Sequence, residues 1–106
     1  MNGWCIAGKS FQEEQGYTLL QNDKILTISA WDPPNAEVYD PASGTWSLVA
    51  KTPVILPDQC GSYEIGPALG RHDGTVVAFN GNTGCTSSKS PTAIYNPKTN
   101  TWKNGA

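Results

Sequence analysis

Ala36-Glu37-Val38-Tyr39-Asp40-Pro41-Ala42-Ser43-Gly44-Thr45-Trp46 decides the fold, because the chain writes it twice. The second copy is Thr92-Ala93-Ile94-Tyr95-Asn96-Pro97-Lys98-Thr99-Asn100-Thr101-Trp102. Tyr39 and Tyr95 stand 56 positions apart, and so do Trp46 and Trp102. Each copy reads as a short strand, a turn containing Pro and the start of a second strand.

Upstream, Trp4-Cys5-Ile6-Ala7-Gly8-Lys9-Ser10 lines up with Trp46-Ser47-Leu48-Val49-Ala50-Lys51-Thr52 at an offset of 42. Trp4, Trp46 and Trp102 thus mark three equivalent points and bound two complete units of 42 and 56 residues. Repeats of that length belong to propeller blades or arrays. Between the markers the strands can be read in order. In the first unit they are 16–20, 24–30, 37–40 and 45–49. Lys24 to Ala30 is rich in β-branched residues. Gln21-Asn22-Asp23 is a tight turn, and Trp31-Asp32-Pro33-Pro34-Asn35 is a loop, since two successive Pro remove two donors. The second unit reads as strands 62–69, 75–79, 92–96 and 101–103, with a bulge at Gly66-Pro67. Arg71-His72-Asp73-Gly74 is its hairpin turn, and Asn80 to Pro91 is its long loop. Glu14, Leu19 and Asp23 match Glu64, Leu69 and Asp73 at an offset of 50. The offset therefore steps from 42 to 50 to 56 inside loops, where insertions are tolerated. Each unit is predicted to be a four-stranded antiparallel meander.

Composition bounds the function. A chain of 106 residues is one small domain. The units divide it into 1–51, the first with its preceding outer strand, and 52–106. Eleven Gly and eight Pro favour turns over long helices. A net charge of −2, with Lys and Arg scattered, argues against nucleic acid as a partner. No run of eighteen apolar residues is present to span a membrane as a helix. Met1-Asn2-Gly3-Trp4-Cys5 does not read as the start of a signal peptide, and nothing assigns a compartment. Cys5, Cys60 and Cys85 lack zinc-ligand spacing. Cys60 and Cys85 are the pair that an oxidising compartment could join; otherwise all three serve as small hydrophobes.

The Tyr39-Asp40-Pro41, Gly44 and Thr45-Trp46 pattern, echoed by Tyr95-Asn96-Pro97 and Thr101-Trp102, resembles the kelch repeat. The resemblance covers nearly the whole chain as two blades. Kelch repeats end their second strand in a Gly-Gly pair, whereas here the equivalents are Ser29-Ala30 and Asn80-Gly81. The pattern is nearer to kelch-like propellers of the galactose-oxidase kind. The resemblance implies an all-β fold of two four-stranded antiparallel β-propeller blades. Blades bury both faces against neighbours, and propellers close with about four to eight of them. Two blades would complete a ring by homo-oligomerisation, with a cyclic trimer favoured. The rival expectation is a fragment of a longer propeller.

Five residues are candidates for ligand binding. By the propeller analogy Glu14 and Glu64, each ahead of an innermost strand, would stand at the mouth of a central channel. Carboxylates crowded there would raise one another's pKa or recruit a cation; the alternative is that each caps loop amides. Trp31 and Asp32, with Asp58 in the connection between blades, would share one face with the 82–90 loop. An aromatic ring beside carboxylates can grip a sugar by stacking and hydrogen bonds; the alternative is Trp31 packing on a neighbouring blade. Tyr39, Tyr95, Trp46 and Trp102 read as structural. His72 is the single histidine and lies in a turn, so neither a catalytic triad nor galactose oxidase copper chemistry is predicted. No cofactor is expected. The function read from these features is a non-catalytic binding and assembly module whose loop face contacts a protein or a glycan. The alternative is a carboxylate-based glycan-active enzyme, or part of a larger propeller enzyme.

Overall fold

The computed structural model of the chain describes residues 16–29, 34–57, 65–81 and 91–105. It is all-β, with two four-stranded antiparallel sheets and no helix among the described residues. The first sheet contains β1 (Tyr17–Leu19), β2 (Ile25–Ile28), β3 (Ala36–Asp40) and β4 (Thr45–Val49). The second contains β5 (Ala68–Gly70), β6 (Val76–Phe79), β7 (Thr92–Asn96) and β8 (Thr101–Asn104). Both are simple meanders in chain order.

The two copies of the opening stretch fold alike. Tyr39 pairs with Trp46 across β3 and β4, with ring centroids 5.0 Å apart and planes at 44°. Tyr95 pairs with Trp102 at 4.9 Å and 42°. The intervening turns match as well. Asp40 Oδ1 accepts from Ala42 N, and Asn96 Oδ1 accepts from Lys98 N, each at 3.0 Å. Each turn closes on a residue in the left-handed region, Gly44 (φ 69°) and Asn100 (φ 53°), the conformation that Gly and Asn enter most readily.

One expected equivalence changes. The sheets superpose at an offset of 51 through their inner strands, not 50. Leu19 opposes Ile25 as Gly70 opposes Val76, so Leu19 corresponds to Gly70 rather than Leu69. The turns agree, because Asp23 (φ 67°) corresponds to Gly74 (φ 89°) rather than to Asp73. A bulge accounts for the extra residue. Gly66 N donates to Phe79 O at 3.1 Å, while Phe79 N donates to Pro67 O at 3.0 Å, so two residues face one. Pro67 has no N–H, and its neighbour supplies the missing donor. The same bulge explains why β5 begins at Ala68, after residues 65–67; the part of the expected strand at 62–64 lies outside the described residues. The later step to 56 lies wholly in the β2–β3 and β6–β7 loops. Their stems close alike, with Ser29 N donating to Asn35 O at 2.9 Å and Asn80 N donating to Pro91 O at 3.1 Å.

Strand alternation gives each sheet two faces. The Tyr–Trp face carries Leu19, Ile25, Tyr39 and Trp46 in the first sheet, and Gly70, Val76, Tyr95 and Trp102 in the second. The reverse face carries Thr18, Leu26, Val38 and Ser47 in the first, and Leu69, Val77, Ile94 and Lys103 in the second. The core joins one face of each kind. Leu26, Ile28, Ala36 and Val38 from the first sheet's reverse face pack with Val76, Ala78, Ala93 and Tyr95 from the second sheet's Tyr–Trp face. Leu20 and Leu56 complete the cluster.

Candidate functional site

The sheets have two distinct ends. One bears the short turns at 20–24, 41–44, 71–74 and 97–100. The other bears the long loops and the connection between the sheets. There Thr52 N donates to Pro34 O at 2.9 Å, tying the connection to the end of the first loop. The buried Leu56 carbonyl accepts from Gly81 N at 3.0 Å and from Asn80 Nδ2 at 2.7 Å, tying it to the start of the second. The stems of both long loops therefore stand against one connector, and β1 and β5 begin at the same end.

The five predicted binding residues all attach to this end. Trp31 and Asp32 fall within the first loop, Asp58 follows Pro57, and Glu14 and Glu64 precede Gly16 and Ile65. All five lie outside the described residues, as do Cys5, Cys60, Cys85 and the Trp4 to Ser10 segment. Among the described residues no three His, Cys, Asp or Glu side chains gather as a metal centre requires. Nor is any helix there long and apolar enough to cross a membrane.

At the turn end, His72 is exposed and its backbone carbonyl accepts from Gln21 Nε2 at 3.2 Å, a bond between the sheets. Asp73 accepts from Thr75 Oγ1 at 2.6 Å and from Thr75 N at 3.0 Å. Those two bonds, the hydroxyl's first, hold its carboxyl below the usual range, and Arg71 adds to the effect. The Arg71–Asp73 ion pair at 3.6 Å is solvent-exposed, and such pairs contribute little to stability.

Sequence reading missed the residue that links the sheets at their outer edge. Asn100 Oδ1 accepts from Ala50 N and from Tyr95 Oη, both at 2.9 Å. Trp102 Nε1 donates to Ala50 O at 2.8 Å, so the residue after β4 is held through both its backbone N–H and its backbone carbonyl. Burial pushes the Tyr95 phenol above its ordinary pKa. The signal was an Asn standing where the first unit has Gly44. Beside this linkage lies a cleft of about 240 Å³ walled by Leu20, Asn22, Lys24 and Val38 on one side and Tyr95, Pro97 and Asn100 on the other.

The sequence matches no protein-family model, and no curated protein matches it significantly.

Proposed function

We propose that this chain is a non-catalytic binding and assembly module, a pair of kelch-like β-propeller blades that completes a ring by self-association. Its loop-bearing end is the contact surface for a protein or a glycan. The observation that carries the reading is the packing of unlike faces. The Tyr–Trp face of the second sheet covers the reverse face of the first, which leaves one face of each kind at the outer sides of the pair. Contact of that sort is heterologous, so it can repeat from chain to chain and closes where the rotation allows. The near-identical Tyr–Trp geometry of the two sheets supports treating them as repeats of one blade. Propellers close with about four to eight blades, and three copies of a two-blade chain supply six.

Light scattering at micromolar concentration tests the assembly. Three chains of 11.3 kDa give a particle of about 34 kDa. A stably folded single chain would refute self-association. The contact surface is tested by calorimetric titration of a glycan panel into the wild type and Trp31→Ala. Loss of binding at unchanged particle mass is expected, and binding that survives the substitution removes Trp31 from the surface.

A further inference from the structure

The cleft between the sheets has a counterpart that is open. Its first wall is Leu20, Asn22, Lys24 and Val38. The equivalent positions in the second sheet are Arg71, Asp73, Thr75 and Ile94, and these line a cleft of about 160 Å³ on that sheet's own outer side. Within the chain, the first cleft is completed by Tyr95, Pro97 and Asn100, which belong to the next sheet's Tyr–Trp hairpin. The positions that match those three in the first sheet are Tyr39, Pro41 and Gly44, on the outer side of the same molecule. Pro41 and Gly44 are exposed. One wall of a second cleft and the group that would close it thus stand at opposite sides of one chain.

The inner strands repeat the pattern. Between the sheets, β1 meets β5, with Thr18 Oγ1 donating to Ala68 O at 3.4 Å. The counterparts of Thr18 and Ala68 are Leu69 and Tyr17. Leu69 is 55% exposed and Tyr17 51%, and Leu19 beside it is 67% exposed. Tyr17 and Leu19 neighbour each other on one face of β1, and Leu69 stands on the reverse face of the second sheet. The centre of the first sheet's Tyr–Trp face, Thr27 and Glu37, is already buried, so the open area lies at β1 and the 41–44 hairpin.

Building on the reading of a self-associating ring, we infer that the Arg71–Asp73–Thr75–Ile94 cleft is the seat for the Tyr39–Pro41–Gly44 hairpin of a second copy of this chain. In the same junction Leu69 packs against that copy's Tyr17 and Leu19. The second copy is the occupant because the chain already displays the hairpin and inner-strand parts of this union between its own sheets, with the 97–100 hairpin closing the first cleft and β1 meeting β5. The junction is head-to-tail, so each copy uses one side to receive and the other to insert.

That polarity gives a test which a two-fold symmetric contact would fail. Leu69→Glu spoils the receiving side and Leu19→Glu spoils the inserting side. Both positions are exposed, and an unchanged near-ultraviolet circular dichroism spectrum verifies folding. Each variant alone is expected to sediment as a single chain, with association weakened more than about 100-fold by an unpaired carboxylate in an apolar contact. Mixed at equal amounts they are expected to form a 1:1 heterodimer and nothing larger, because one intact junction remains and the other sets Glu against Glu. Thr75→Arg and Pro41→Arg serve as second variants on the two sides, Pro41 being exposed on the inserting hairpin. Either variant assembling like the wild type, or a mixture that stays at single chains, overturns the assigned faces while the ring reading stands. A wild type that is itself a single chain overturns both.

Discussion

Replacing Asn100 by Gly isolates the linkage at the outer edge. Gly keeps the left-handed turn, as Gly44 does in the first sheet, so the backbone is not strained. What is lost is one acceptor serving two donors, Ala50 N–H and Tyr95 O–H. Each bond contributes about 1 kcal/mol, and leaving the hydroxyl of a buried Tyr without its acceptor adds on the order of 1 kcal/mol. The easier left-handed backbone of Gly offsets a few tenths of a kcal/mol. The expected loss is about 2–3 kcal/mol. For a domain of about 100 residues this lowers the melting temperature by roughly 10–20 °C. Urea unfolding at fixed protein concentration measures it, since association contributes to apparent stability. A cycle with Tyr95→Phe should return about 1 kcal/mol of coupling between the two side chains. A loss below about 0.5 kcal/mol, or no coupling, would refute the claim that this grip on Ala50 joins the sheets.

Three further outcomes are expected. Gly66→Ala would place a Cβ 2.7 Å from Asn80 O and 2.8 Å from Phe79 O, both backbone atoms; urea unfolding should show a loss of about 2 kcal/mol or more, and a neutral result would contradict the bulge. Gly44→Asn should keep the turn, because Asn100 tolerates the same left-handed backbone, and should change stability by less than about 0.5 kcal/mol in the same assay; a larger loss would show that the two hairpins are not interchangeable. Thr75→Val removes the first cause of the depressed Asp73 pKa, so carbon-detected NMR titration should move that carboxyl back toward 3.8. Because the folded value is depressed, Asp73 stabilises the fold above its unfolded pKa, and that contribution is lost as pH falls through the folded value. The variant should lose less on acidification, and an unmoved carboxyl would contradict the role given to Thr75.

The strands were readable because their signals are local. Tyr39, Pro41 and Trp46 recur as Tyr95, Pro97 and Trp102, and the turns between them carry Gly, Asn and Asp where a left-handed residue is required. Register was less visible. Matching Leu19 to Leu69 by identity places them one residue out of step, and in a strand one residue is the difference between opposite faces. The bulge at Gly66-Pro67 was anticipated, but that it inserts the extra residue follows only from which donors Phe79 meets. Which face meets which could not be read, since both faces of each sheet are partly apolar. Asn100 was overlooked for a related reason: its acceptor serves Ala50, which is distant in sequence, and no local pattern announces such a bond. Glu14, Trp31, Asp32, Asp58 and Glu64 were chosen on chemistry and on the end of the sheet where they attach. The stems of the two long loops stand against one connector, while these five residues themselves lie outside the described ones.

Electron-microscopy class averages of the wild-type chain test the central claim most directly, because they count sheets around a particle. A closed disc of six, from three chains, is expected. Separate two-sheet particles, or open filaments that never close, would contradict it.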